Sequence, residues 1–129
     1  MGLTYVELEI ANPAQPRRRD KVSLLVDSGA TFSLVPGALL RRLGIRPHSH
    51  RSFFLANGEK IEREVGDAMF FYEGQRGAAP VIFGKRGDID LLGSVTLEAL
   101  GLMLDPLRRE LKPLPMMLAR TAGQPLSSS

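Results

Sequence analysis

The chain has 129 residues, room for one domain with its own core, and its 43% hydrophobic and 24% charged residues are ordinary for a globular protein. The complete lack of cysteine excludes disulfides, thiolate metal sites and a cysteine nucleophile. A formal charge of +3 gives only weak attraction to polyanions, and thirteen glycines with nine prolines predict many turns between short elements.

The start, Met1-Gly2-Leu3-Thr4-Tyr5-Val6-Glu7, has no basic region followed by an apolar run, so no secretory leader is expected. Val6 stands where a myristoylation signal carries Ser or Thr. No apolar stretch approaches membrane-spanning length, so the expected location is cytoplasmic, without a membrane partner. Thr4 to Ile10 alternates, Tyr5, Glu7 and Glu9 against Val6, Leu8 and Ile10, which predicts a half-buried strand. A polar loop with Pro13 and Pro16 separates it from a second strand, Lys21 to Val26, and the two are expected to form a hairpin with an exposed arginine tip.

Asp27-Ser28-Gly29-Ala30-Thr31 ends that second strand. An apolar run that delivers a carboxylate onto a tight turn is costly unless the charge is used or compensated. Thr31 to Val35 reads as extended, Pro36 opens a short helix with Leu39, Leu40 and Leu43 on one side, and Gly44 caps its end. Ser52–Leu55, Lys60–Val65 and Ala68–Tyr72 read as strands, with Asn57-Gly58 as a hairpin turn between the first two. Glu73 to Gly77 is expected to turn, and Pro80 to Phe83 to return as a strand. Leu91-Leu92-Gly93 is a short apolar strand, Ser94 the expected N-cap of a helix over 95–100, and Gly101 its end. Residues 102–106 and 110–114 read as a last hairpin, with residues 1–118 as the domain and 119–129 as a flexible tail. Leu43-Gly44-Ile45 and Leu100-Gly101-Leu102 form a weak internal echo.

The Asp27-Ser28-Gly29-Ala30 signature after an apolar strand, Leu91-Leu92-Gly93 before a helix, and Asn57-Gly58 between them resemble the retropepsin-like (clan AA) aspartic proteases over roughly residues 4–114. That resemblance implies an all-β, closed acid-protease barrel with one or two short helices, working as a homodimer on a peptide or protein substrate. Asp27 from each copy would form the catalytic dyad. Ser28 would lock the two active-site loops together, and Gly29 would let its backbone approach the dyad. Ala30 and Thr31 would contact substrate backbone, while Leu91, Leu92 and Gly93 would support the loop from behind. Leu55, Ala56, Asn57 and Gly58 would lie in the flap, roughly 53–61, that closes over the substrate. Viral members carry acidic residues after the signature and an arginine after the second glycine; here those positions read Thr31-Phe32-Ser33 and Ser94-Val95, so the chain looks closer to the single-domain prokaryotic or cellular members.

Other readings stand beside this one. Asp-Ser-Gly is also an ordinary turn sequence, because Asp and Ser bond their own backbone. A catalytically silent dimer of the same fold, binding extended peptides or mediating association, is the alternative to an aspartic endopeptidase. Phe53, Leu55, Val81 and Phe83 are equally pocket walls or core. His48 and His50 form a His-x-His pair without an evident third ligand, so no metal and no cofactor are expected. The arginine clusters, at 17–19, 41–42 and 108–109, are far apart and lack interleaved aromatics, so they read as solvated faces and no nucleic-acid partner is expected.

Overall fold

In the computed structural model, which describes residues 3–115, the alternation at the start of the chain becomes a hairpin. β1 (Tyr5–Ala11) and β2 (Arg19–Val26) pair antiparallel, from Tyr5 opposite Leu25 to Ala11 opposite Arg19. Leu8, Ile10, Val22, Leu24 and Val26 are buried, while Tyr5, Glu7, Lys21 and Ser23 are exposed, the period of two that a half-buried sheet demands. The connecting loop carries Arg17 and Arg18 at an exposed tip. Asn12 steadies its start, accepting from the Ala14 N–H and donating to the Leu43 carbonyl.

β3 (Ser33–Pro36) runs into α1 (Gly37–Arg42) through Pro36, whose φ of −51° suits a helix entrance. The helix closes at Leu43-Gly44, where the Gly44 N–H donates to the Arg41 carbonyl and the Ile45 N–H to that of Leu40. β4 (Ser49–Phe54), β5 (Lys60–Tyr72) and β6 (Gln75–Gly84) follow as an antiparallel meander. Here the sequence misleads twice. The expected break between Val65 and Ala68 is absent, because Gly66 and Asp67 lie opposite Val81 and Pro80 in the β6 ladder and pairing overrides their poor strand propensity. The turn expected over residues 73–77 contracts to Glu73-Gly74, both at positive φ (45° and 82°), the two-residue reversal that matches strand twist.

β7 (Leu91–Leu92) precedes α2 (Ser94–Ala99). Gly93, not Ser94, is the N-cap: Ser94 is already helical, and its N–H donates to the Ala30 carbonyl. β8 (Leu102–Asp105) and β9 (Glu110–Pro113) form a separate two-stranded sheet. Both members of the Leu-Gly echo lie at helix ends, since α1 and α2 are capped by Leu43 and Leu100 with a glycine next.

The main sheet runs β1-β2-β7-β3-β6-β5-β4, and β1 also pairs with β5, Glu9–Ala11 against Met69–Phe71. Six strands therefore close into a ring, which removes the open edges an all-β protein must otherwise protect. β4 lies outside the ring, attached to β5 alone. One core, containing Leu24, Val35, Leu40, Phe70, Val81 and Leu92, fills the barrel. The expected all-β class, a closed barrel with two short helices, is what the structure shows. The expected tail at 119–129 lies outside the described residues.

Candidate active site

β2 reaches the site as an interior strand. Its end is bonded on both sides: the Val26 N–H donates to the Thr4 carbonyl (2.8 Å), and the Leu25 and Asp27 N–H groups donate to Asp90 and Leu92 carbonyls (both 3.0 Å). β7 runs parallel to it, with Leu25 opposite Leu91 and Val26 opposite Leu92. Asp27 is thus delivered, half-buried, to the point where the chain must turn.

The turn is built by the aspartate itself. Its Oδ1 accepts the Gly29 N–H at 3.0 Å, and its carbonyl accepts the Ala30 N–H at 3.0 Å. A Cβ on residue 29 would stand 3.3 Å from Oδ1, so glycine leaves the carboxylate room. Among the described residues no cation pairs with Asp27, so its charge is met by a backbone dipole only. Ser28 is exposed, and Ala30 and Thr31 turn their carbonyls to the Ser94 and Val95 N–H groups (2.8 and 3.0 Å), fastening the loop to the first turn of α2.

Beneath the loop sits Gly93, fully packed. A Cβ there would fall 2.6 Å from the carbonyl carbon and oxygen of Phe32 and 2.8 Å from the Thr31 oxygen, so no other residue fits without moving backbone. Its N–H donates to Ser33 Oγ at 2.9 Å, and Ser33 Oγ lies 2.6 Å from Thr96 Oγ1. Ser33 and Thr96 are both fully buried, and this three-part network joins β3 to the N-cap and first turn of α2 behind the carboxylate. Sequence reasoning missed it; the signal was a serine inside the apolar run Phe32 to Val35.

Above the loop, β4 and β5 reach out as a hairpin. Leu55 N–H donates to the Glu59 carbonyl (2.8 Å), Gly58 N–H to that of Leu55 (2.9 Å), and the Asn57 side chain accepts the Glu59 N–H (2.8 Å). Gly58 at φ +88° closes this three-residue tip, Ala56-Asn57-Gly58, which exposed solvent surrounds. Two adjoining hollows lie between tip and loop. One, of about 380 Å³, is lined by Ala30, Thr31, Phe32, Phe53, Leu55 and Leu91 among others. The second, of about 490 Å³, runs from Asp27 beneath Ala56 and Asn57 to Ile89. Phe53 meets Phe32 edge-on, ring centres 6.2 Å apart, and exposed Phe54 and Ile89 extend the apolar rim. Of the four residues read as either wall or core, Phe53 and Leu55 line the cleft, whereas Val81 and Phe83 are core.

A second unforeseen feature closes the cleft's side. The Arg63 guanidinium forks onto Asp88, Nε to Oδ2 and Nη2 to Oδ1, both at 2.8 Å. That bonding holds the Asp88 carboxyl below its usual range, whereas burial and then the Asp88 charge push neighbouring Asp90 up. Arg63 had a sequence signal, a charge on the row Ile61, Arg63, Val65.

The remaining candidates are dispersed. His48 pairs with Asp67 (3.3 Å) and His50 faces Glu62 (3.6 Å). No group of three His, Asp or Glu suited to a metal ion exists among the described residues. Arg19 lies over the Phe71 ring and beside Glu9, Arg42 pairs with Asp20, and Arg41 with Glu64. No helix among the described residues is long and apolar enough to cross a membrane.

No protein-family model and no curated protein sequence matches the chain. Among solved structures it is similar to the simian foamy virus (mac) protease in solution, at 25% identity and a TM-score of 0.48, over 72% of this chain and 92% of that one. It is also similar to the prototype foamy virus protease–reverse transcriptase, at 19% identity and a TM-score of 0.47. That match takes in 92% of this chain but 13% of the viral one.

Proposed function

We propose that the chain is an aspartic endopeptidase whose dyad is Asp27 and its symmetry mate in a homodimer, of the single-domain cellular type. The observation that carries this reading is a half-buried carboxylate without a cation, held by a glycine N–H at the floor of an apolar cleft under a hairpin. One such carboxylate cannot both accept and donate a proton in the same step. Two in contact share a single proton, because both cannot ionise cheaply, and so supply a base and an acid together.

The ionised carboxyl takes a proton from water as the water oxygen bonds to the peptide carbonyl carbon, and the protonated carboxyl gives its proton to the carbonyl oxygen. Collapse of the tetrahedral species breaks the C–N bond: the amine leaves with the proton the dyad took from water, while one hydroxyl of the tetrahedral carbon gives its proton to the other carboxylate as the C=O bond re-forms, which restores the shared-proton state. The flap excludes water and offers backbone groups to an extended peptide, while the apolar walls favour substrates with large apolar side chains beside the scissile bond.

Asp27→Asn is the test. It keeps the Oδ1 that accepts the Gly29 N–H, so fold and association should persist while cleavage of a denatured, apolar-rich protein disappears. Cleavage that survives the substitution removes Asp27 from the mechanism. The exposed apolar rim at Phe54 and Ile89 also suits a silent, peptide-binding dimer, and wild-type protein that binds such peptides without cutting them would establish that reading instead.

A further inference from the structure

β5 has two different lives along its length. From Val65 onward it is an interior strand paired with β6, but from Lys60 to Glu64 its only strand partner is β4. The flap is therefore a two-stranded ribbon standing off the barrel, and an isolated two-stranded ribbon is marginally stable in water. Its position over Asp27 must be fixed by side chains at its base.

Phe53 and Arg51 of β4 rest on the Phe32 ring, and two ion pairs tie β5 as well. Glu64 meets Arg41 of α1 at 2.5 Å, with both side chains well exposed, the class of ion pair that contributes little. Arg63 meets Asp88 in a two-pronged fork with only 13% and 16% of the side chains exposed. The third arm of the guanidinium, Nη1, donates to the Glu62 carbonyl at 2.8 Å, and Asp88 Oδ2 also accepts the Lys85 N–H at 2.7 Å. The same carboxylate thus shapes its own loop and grips the flap. Gly87, Asp88 and Ile89 line the hollow that opens onto Asp27, and Leu55, Ala56 and Asn57 line it from the flap.

We propose that Arg63 and Asp88 are positioning residues, a clamp that sets the gap between the flap and the loop before β7 and so the grip on an extended substrate. The proposal rests on the peptidase reading for its kinetic consequence but not for its mechanical one. The pair spans the two cleft walls, lies on neither catalytic loop, and orients the flap without touching the reacting bond.

The full-length chain tests this through Arg63→Met, Asp88→Asn and the double variant. Cleavage of an apolar peptide and amide hydrogen exchange are measured on each. Each single change should raise KM by roughly tenfold with kcat within about twofold, and the double should be no worse than the poorer single, because one interaction is lost in all three. Amides at 55–59 and 85–90 should lose protection while those of β1 and β2 keep theirs. If Arg63→Met does not fold, Arg63→Lys, which keeps the charge but not the fork, should give an intermediate loss of both. Unchanged flap protection, or additive losses in the double variant, overturns the clamp. Lost flap protection in the variants, together with a wild-type protein that never cleaves, overturns the peptidase reading and leaves the clamp standing.

Discussion

Gly93 and Ser33 show how the Asp27 loop is held in place from behind. A methyl group on residue 93 would overlap the Phe32 carbonyl, and the clash is with backbone, which cannot rotate away. Gly93→Ala should therefore cost about 1–3 kcal/mol, read as a lower denaturant midpoint at unchanged slope. Ser33→Ala should cost about as much for a different reason, since it leaves the buried Gly93 N–H without its acceptor, roughly 1–3 kcal/mol. A midpoint unmoved by Ser33→Ala would mean that the Ser33–Thr96 pair is dispensable. At this scale the sequence is legible where chemistry has a spelling: an aspartate after an apolar strand, a glycine after two leucines. It is silent about the partners of Ser33 and Arg63, because a polar residue in an apolar run declares that it has a partner without naming it. Those partners lie 63 positions apart for Ser33 and Thr96 and 25 for Arg63 and Asp88.

The flap and the loop before β7 behave as one element because a charge pair joins them. Asp88 ionises below its ordinary value of 3.8 in the folded chain, chiefly through the Arg63 fork. A depressed folded value means that the unfolded chain takes up the proton first, so the pair's stabilisation is full above 3.8 and is lost as pH falls through the lower, folded value. Asp90 has the opposite sign: its charge is costly in the folded chain, and acid relieves that cost. Asp88→Asn should consequently flatten the acid limb of the stability curve below about pH 4, checked by denaturant titrations across that range. An acid limb identical to wild type would show that the fork contributes nothing to folding. The elements themselves were mostly visible in the sequence, by alternation and by Asn57-Gly58. Boundaries failed where pairing outvoted local preference, as at Gly66-Asp67, and where the Ala30 carbonyl of the aspartate loop took the Ser94 N–H and drew the helix start back to Gly93.

For the whole molecule, the proposed dyad makes activity a property of two chains, so specific activity should fall on dilution and follow the sedimentation-measured dimer fraction. Constant specific activity across a dilution that dissociates the dimer would sink the shared site. A closed barrel was expected from the resemblance; the pairing that closes it was not legible, because Glu9–Ala11 meets Met69–Phe71 only once every intervening strand is in place. β7 gives that closure a particular character. Two residues, Leu91 and Leu92, join β2 on one side and β3 on the other, and the Asp27 N–H hangs from the Leu92 carbonyl. The shortest strand is thus the seam of the ring and also the hook for the carboxylate. Local opening there would release the aspartate loop while the long β5–β6 and β1–β2 ladders stayed zipped, so the molecule can lose the proposed site long before it loses its shape.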